Sequence, residues 1–314
     1  MENKYSPPSS KIASPTELKH LRPISVLPAM SKILEKIVVQ QFTSFIEENN
    51  LLPRLQSGFR KNYSTNTALV NLFSDLFDAK DAHKCSTVVM LDFSQAFDSI
   101  SHELMIAKME NYGFNNTSIK WLNSYLGNRQ QVTRLGVETS SLTTKLRGVP
   151  QGSCLGPILF NLYSSDLQGC LQRCNPHQYA DDCQLHLTYK PEEINEAIQD
   201  INLDLQSISE WSANNGLKLN PSKCTVLHIA PEQLVQALHE RGVQVEIEGE
   251  SLTVTHSVKT LGVVLDDRLT LSDHVSYSIQ KALGRLRALY RFRDLLPEPA
   301  KLQIVQSLIL PIFQ

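Results

Sequence analysis

The chain has 314 residues, 41% hydrophobic and 20% charged, with a formal net charge of −2. This is a globular composition, long enough for one large domain or two or three subdomains, and it argues against a dedicated nucleic-acid coat, which would be strongly basic. Six cysteines in such a length make no disulfide framework and point to a reducing compartment; no apolar run approaches the roughly 18 residues of a membrane span.

Residues 1–20 are rich in Ser, Pro and Lys and read as irregular. Ile33, Leu34, Ile37, Val38, Phe42, Phe45 and Ile46 follow helical spacing and predict an amphipathic helix over about 29–48. "LQSGFRKNYS" (55–64) reads as a loop, after which Ser64 or Thr65 caps a helix carrying Leu69, Leu72, Phe73, Leu76 and Phe77. "CSTVVMLDF" (85–93) is β-branched and almost continuously apolar, as expected of a strand covered on both faces that ends at Asp92. Two capped helices are expected from Ser101 to Gly113 and from Thr117 to Gly127. "RQQVTRLG" and "LTTKLRG" then form an exposed hairpin.

"GVPQGSCLGPILFNLYSSDL" (148–167) is a Gly/Pro turn feeding a helix near Pro157, and "HQYADDCQLHL" (177–187) a strand pair. A long helix over 191–215 ends at Gly216. Strand regions at 223–229 and 243–264 precede helices at about 271–294 and 298–310.

Asp181 and Asp182 stand back to back, and two carboxylates about 4 Å apart repel by roughly 4 kcal/mol at an effective dielectric of 20. A lone Asp-Asp pair is ordinarily a solvated turn. Mid-strand neighbours point to opposite faces, but at a hairpin tip both can approach one side. If the strand ending at Asp92 lies beside that tip, three carboxylates converge in a hard, oxygen-only site suited to Mg²⁺. Cys170, Cys174, His177 and Cys183 lack zinc-knuckle spacing, and the nine histidines show no HExxH or other cluster.

"LDFSQAFDSISH", "GVPQGSCLGPILFNLY", "QYADDCQLHL", "GLKLNPSKCTVLHI" and "VKTLGVVLDDRLT" occur in this order. The series resembles the palm motifs of reverse transcriptases of non-LTR (LINE-like, jockey-type) retrotransposons. "LRPISVLPAMSKILEKIVVQQF" and "NNLLPRLQSGFRKNYSTNTAL" resemble their finger motifs. The resemblance implies an α+β right-hand polymerase fold, with an antiparallel palm sheet packed on helices. Fingers and palm would occupy 21–264 after an irregular 1–20, and a partial, truncated helical thumb 265–314. It implies RNA-directed DNA synthesis from an RNA template, a DNA primer and dNTPs, with two Mg²⁺ (or Mn²⁺) ions held by Asp92, Asp181 and Asp182.

By the same resemblance Arg60, with Lys61 beside it, would grip the triphosphate, and Phe97 would be a steric gate excluding a 2′-hydroxyl. Gln151 and Gly152 (with Gly148) would line the nascent base pair, and Lys223 would protonate or neutralise the leaving pyrophosphate. "KTLGVVL" resembles the primer grip, with Gly262 at its turn. Nuclear access is expected of such an element, and the sequence leaves oligomeric state open. The alternatives are an inactive remnant that keeps the fold and some RNA affinity, and a host-adopted structural protein.

Overall fold

A computed structural model describes residues 24–240 and 243–313, preceded by the paired two-residue strands Ser9–Ser10 and Leu21–Arg22. The rest of the 1–20 segment lies outside the described residues.

Helix α1 (Ala29–Glu48) has the expected bounds but a different inner face. Val38, Phe42 and Ile46 are buried, whereas Ile33, Leu34 and Ile37 are exposed. Glu35 turns inward instead, its carboxylate accepting from the Cys154 backbone N–H (2.6 Å) and the Tyr125 hydroxyl (3.2 Å). A buried carboxylate needs such donors, and meeting them fixes the helix rotation. Helix α2 (Thr65–Asp81) starts at Ser64, whose hydroxyl and the side chain of Thr67 form a reciprocal capping box.

The central strand β1 (Cys85–Leu91) is buried on both faces, as its composition predicts. Its antiparallel neighbours are β3 (Asp182–Tyr189) and β4 (Thr225–Ile229). β2 (Asn175–Tyr179) flanks β3, and β5 (Thr253–Val254) adds to β4 in parallel, giving the order β5–β4–β1–β3–β2. Alternation splits β1 between two layers. Cys85, Val89 and Leu91 face the main core. Val88 and Met90 face a smaller cluster with Leu72 and Leu76 of α2, Leu227 of β4, and Leu265 and Leu269. Fully burying a valine such as Val88 or Val89 is worth about 1.5–3 kcal/mol, so the strand that ends at Asp92 is firmly anchored.

Four further helices cover the main core: α3 (His102–Asn111), α4 (Asn116–Leu126), α5 (Gly156–Tyr163) and α6 (Ile194–Asn214). Ser101 and Asn115 cap α3 and α4 with side-chain oxygens, and Gly216 follows α6 at φ +64°. The expected hairpin around 130–144 is present as two short strand pairs. The 243–264 region breaks into short strands, among them the hairpin β6 (Ser257–Thr260) and β7 (Val263–Asp266), turned by Leu261 and Gly262 at positive φ. Helix α7 (Ser272–Arg291) follows. The helix Glu232–Glu240 has no counterpart in the sequence reading.

Candidate active site

Strand β1 delivers Asp92 one residue past its end, and β3 begins at Asp182. Cys183 pairs with Leu91, and that register leaves Asp92 and Asp182 at neighbouring strand ends. Tyr179 pairs with Asp182, so Ala180 and Asp181 form a two-residue turn with Ala180 at φ +58°. The adjacent aspartates are thus explained by their position at a hairpin tip, where both are exposed.

Lys223 is a cation the fold brings beside Asp92: its Nζ lies 3.2 Å from Asp92 Oδ2. The ammonium is 62% exposed and the Asp92 carboxylate 40%, so this is a solvent-facing pair worth at most about 1 kcal/mol. The bond Asn220 N–H to Asp92 carbonyl (2.9 Å) ties the two segments together. The donor set at the tip is carboxylate oxygen only, facing solvent, which fits a hard divalent cation. Among the described residues the three aspartates do not form a group whose ligand oxygens all lie within 4.8 Å of one another.

The loop 55–58 braces the tip, a role the sequence reading missed. Ser57 N–H donates to the Gln178 carbonyl (2.9 Å), and Gln178 N–H to the Leu55 carbonyl (3.0 Å), adding a short bridge to the outer edge of β2. Gln56 Oε1 accepts from the backbone N–H groups of Gly58 (2.8 Å) and Ala180 (3.2 Å). Asn161 of α5 donates to the Gly58 carbonyl (2.6 Å). Gly58 sits so close that a Cβ there would lie 2.3 Å from the Ala180 nitrogen. The absence of a side chain is what admits this contact.

Arg60 is placed otherwise than expected of a free triphosphate ligand. Its guanidinium grips Glu47 with two bonds (3.1 and 3.0 Å), donates to the carbonyls of Pro53 and Gln56, and stacks on Tyr63 at 4.6 Å. Its side chain is only 10% exposed, and the Glu47 carboxylate raises its pKa against the opposing effect of burial. The fork locks the loop to the end of α1. Lys61 beside it is exposed.

Phe97 is half-buried in the short helix Ala96–Ser99 and stacks on Phe160 of α5 (centroids 4.8 Å apart, 24° between planes). Gln151 Nε2 donates to Asp98 Oδ2 (2.5 Å), which gives Asp98, unassigned by sequence, a positioning role under the Gly148–Gly152 turn. Gly148 (φ +84°) passes so near Asp98 that a Cβ would clash with its backbone at 2.7 Å. Gly152 is exposed at φ +104°. Beside this turn opens a cleft of about 390 Å³ whose walls carry Arg129, Arg134, Lys145 and Arg147, with Asp98 also lining it. Asp92, Asp181 and Asp182 do not line that cleft.

Among the described residues, the trio of metal-type side chains with mutually close ligand atoms lies elsewhere: Asp75, His177 and His186, on the α2 side of the sheet. The absence of a histidine cluster inferred from sequence is therefore corrected. The signal was long-range: His177 faces Gln184 across the strands, two residues from His186, which puts both imidazoles on one face. All six cysteines are free thiols. No described helix is long and apolar enough to cross a membrane.

Residues 10–265 match the family described as reverse transcriptase (RNA-dependent DNA polymerase). The chain is similar to the probable RNA-directed DNA polymerase from transposon BS of Drosophila melanogaster, with 30% identity over 85% of this chain and 30% of that protein. It is also similar to the RNA-directed DNA polymerase from mobile element jockey of the same organism, with 27% identity over 95% of this chain and 33% of that one. The chain thus spans about a third of the length of these curated relatives. Among solved structures, a Candida tropicalis telomerase in complex with a fragment of telomeric RNA aligns with TM-score 0.50 and 12% identity, over 78% of this chain and 37% of that one. This likeness is one of fold, the right-hand polymerase fold.

Proposed function

The chain belongs to the reverse transcriptase family, and from that premise we propose that it carries the fingers and palm (21–264) and thumb elements (265–314) of an RNA-directed DNA polymerase of the jockey type. The observation that supports this most is the meeting of Asp92 with the Asp181–Asp182 turn at adjacent strand ends. Polymerases of this fold use divalent metal ions, and Mg²⁺ is the ion proposed here, held by Asp92, Asp181 and Asp182. Bound there, it would lower the pKa of the primer 3′-hydroxyl and neutralise charge developing on the triphosphate.

The chain's own residues position and exclude. Phe97, backed by Phe160, forms a wall against the sugar edge and favours dNTPs. Gln151, oriented by Asp98, offers its remaining amide N–H and its amide oxygen beside the Gly152 backbone. Lys223 lies 3.2 Å from Asp92 Oδ2, and with Asp92 engaged by a metal it would be free to neutralise or protonate the departing pyrophosphate. The Arg/Lys-lined cleft next to Gly148–Pro150 suits a polyanion, and we assign template or primer phosphates to it. The Arg60–Glu47 fork makes Arg60 a positioning residue for the loop that braces the turn, leaving Lys61 as the exposed cation for phosphate.

The test is primer extension on an RNA template with Mg²⁺, comparing the chain with the Asp181→Ala, Asp182→Ala double variant. Extension by the former alone supports the reading. Extension that persists in the variant overturns the site; none by either favours a nucleic-acid-binding remnant.

A further inference from the structure

We propose a second metal centre, distinct from the carboxylate cluster: a site for a borderline transition-metal ion of the Zn²⁺ class formed by Asp75, His177 and His186. One ligand atom from each lies within 4.8 Å of the other two. Asp75 Oδ2 stands 2.9 Å from His177 Nε2 and 4.0 Å from His186 Nδ1. Zinc bonds of about 2.0–2.1 Å at tetrahedral angles put ligand atoms about 3.3 Å apart. The two measured separations straddle that figure, so small side-chain rotations suffice.

An independent observation points to a missing ligand. His186 is 97% buried (3% exposed), and its Nδ1 has no hydrogen-bond partner. The other ring nitrogen is engaged: Nε2 lies 3.0 Å from Thr188 Oγ1 and 3.3 Å from Ser86 Oγ. With Nε2–H donating to a hydroxyl, Nδ1 keeps its lone pair, aimed toward Asp75. An imidazole oriented through its second nitrogen in this way is the usual state of a metal-binding histidine. Burial, with His177 nearby, lowers the His186 pKa to about 4, and burial lowers that of His177 too, against the pull of Asp75. Both rings therefore stay neutral near neutral pH, and His177, whose Nε2–H donates to Asp75 in the ion's absence, would shift that proton to Nδ1 to ligate.

The ligand set also selects the ion. Two imidazoles and one carboxylate suit Zn²⁺ and its neighbours, whereas Mg²⁺ prefers oxygen. A cleft of about 290 Å³, lined by Asp75, Asp78, Lys84, Asn175, His186 and Thr188, gives solvent and ion access and leaves room for water at a fourth position. The three ligands come from α2, β2 and β3, and His177 and His186 bracket the Asp181–Asp182 turn. An ion here would rivet the hairpin to α2 and stiffen the strands that present the aspartates.

The test uses the full chain, reduced, titrated with Zn²⁺ against a chromophoric chelator and followed by thermal unfolding. We expect one tight equivalent, a raised Tm and no displacement by excess Mg²⁺. Asp75→Asn, a change on a half-exposed helix position, and His186→Gln should each weaken binding at least about tenfold. The Asp181→Ala, Asp182→Ala variant should bind as well as the parent, which separates this outcome from that of the polymerase reading. Co²⁺ in place of Zn²⁺ should show a tetrahedral visible spectrum without a thiolate charge-transfer band. Zn²⁺ binding that Asp75→Asn leaves unchanged, a thiolate band, or no binding stronger than that of Mg²⁺ would each overturn the proposal.

Discussion

Gly58→Ala is the substitution that most sharply probes how the aspartate turn is held. An added Cβ would lie 2.3 Å from the Ala180 nitrogen and 3.0 Å from the Tyr179 carbonyl carbon, both backbone atoms of the turn. A comfortable separation is about 3.5 Å, so loop and turn must part by about 1 Å. The Gln56–Ala180 bond, already 3.2 Å, would then be lost, and the Asn161 bond to Gly58 strained. Overpacking of this kind costs about 1–3 kcal/mol of stability, which leaves the domain folded. A misplacement of about 1 Å at reacting groups costs on the order of 100-fold in rate. Single-turnover primer extension on an RNA template, with circular dichroism as a control for folding, should show that loss. A folded Gly58→Ala protein extending within about threefold of the parent would refute the bracing argument.

Three further outcomes are expected. Phe97→Val should raise ribonucleotide incorporation relative to dNTP by at least about tenfold, the order of discrimination a pocket's steric fit supplies; unchanged sugar selectivity in matched extension assays would remove Phe97 as the gate. Asp204 is buried on α6 and accepts from the backbone N–H groups of Gln172, Arg173 and Cys174 (2.9, 3.0 and 2.7 Å), so Asp204→Ala strands three donors at the entrance to β2. Urea unfolding should record a loss of about 3 kcal/mol or more, and a loss under 1 kcal/mol would contradict that role. Burial pushes the Asp266 carboxyl up, but the N–H groups of Thr270, Leu271 and Arg268 outweigh it and hold its pKa below the ordinary value. A depressed carboxyl stabilises above its unfolded pKa, and that contribution fades as pH falls through the folded one. Urea midpoints of the parent should therefore drop more steeply than those of Asp266→Asn as pH falls below the ordinary carboxylate range.

Local signals carried much of this architecture. Ser64 and Ser101 mark helix starts by their capping oxygens (the helix expected from Thr117 is instead capped by Asn115), Gly216 marks an end, and the unbroken apolar run of 85–91 announces a doubly covered strand. The hairpin at Asp181 was legible because a two-residue turn is the one place where adjacent carboxylates can share a side. What stayed hidden depends on partners far away in the chain. Glu35 stands in one helical row with Val38, Phe42 and Ile46, yet a carboxylate there reads as unfavourable until the Cys154 amide and Tyr125 hydroxyl that satisfy it are seen. Arg60 reads as a loop cation until Glu47 is seen across it. Asp75, His177 and His186 occupy three elements, and no spacing rule joins residues about a hundred positions apart.

In the proposed reading, one divalent-ion site is built jointly by the segments around Asp92 and Asp181. Its most direct measurement is iron-mediated backbone cleavage of the Asp75→Asn protein, whose histidine site is disabled, with Fe²⁺ replacing Mg²⁺ and with ascorbate and peroxide generating radicals beside the bound ion. Cuts near both Asp92 and Asp181, suppressed together by excess Mg²⁺ and by Asp92→Asn, are the predicted result. Cleavage at one segment without the other, or cuts that Mg²⁺ does not suppress, would contradict it.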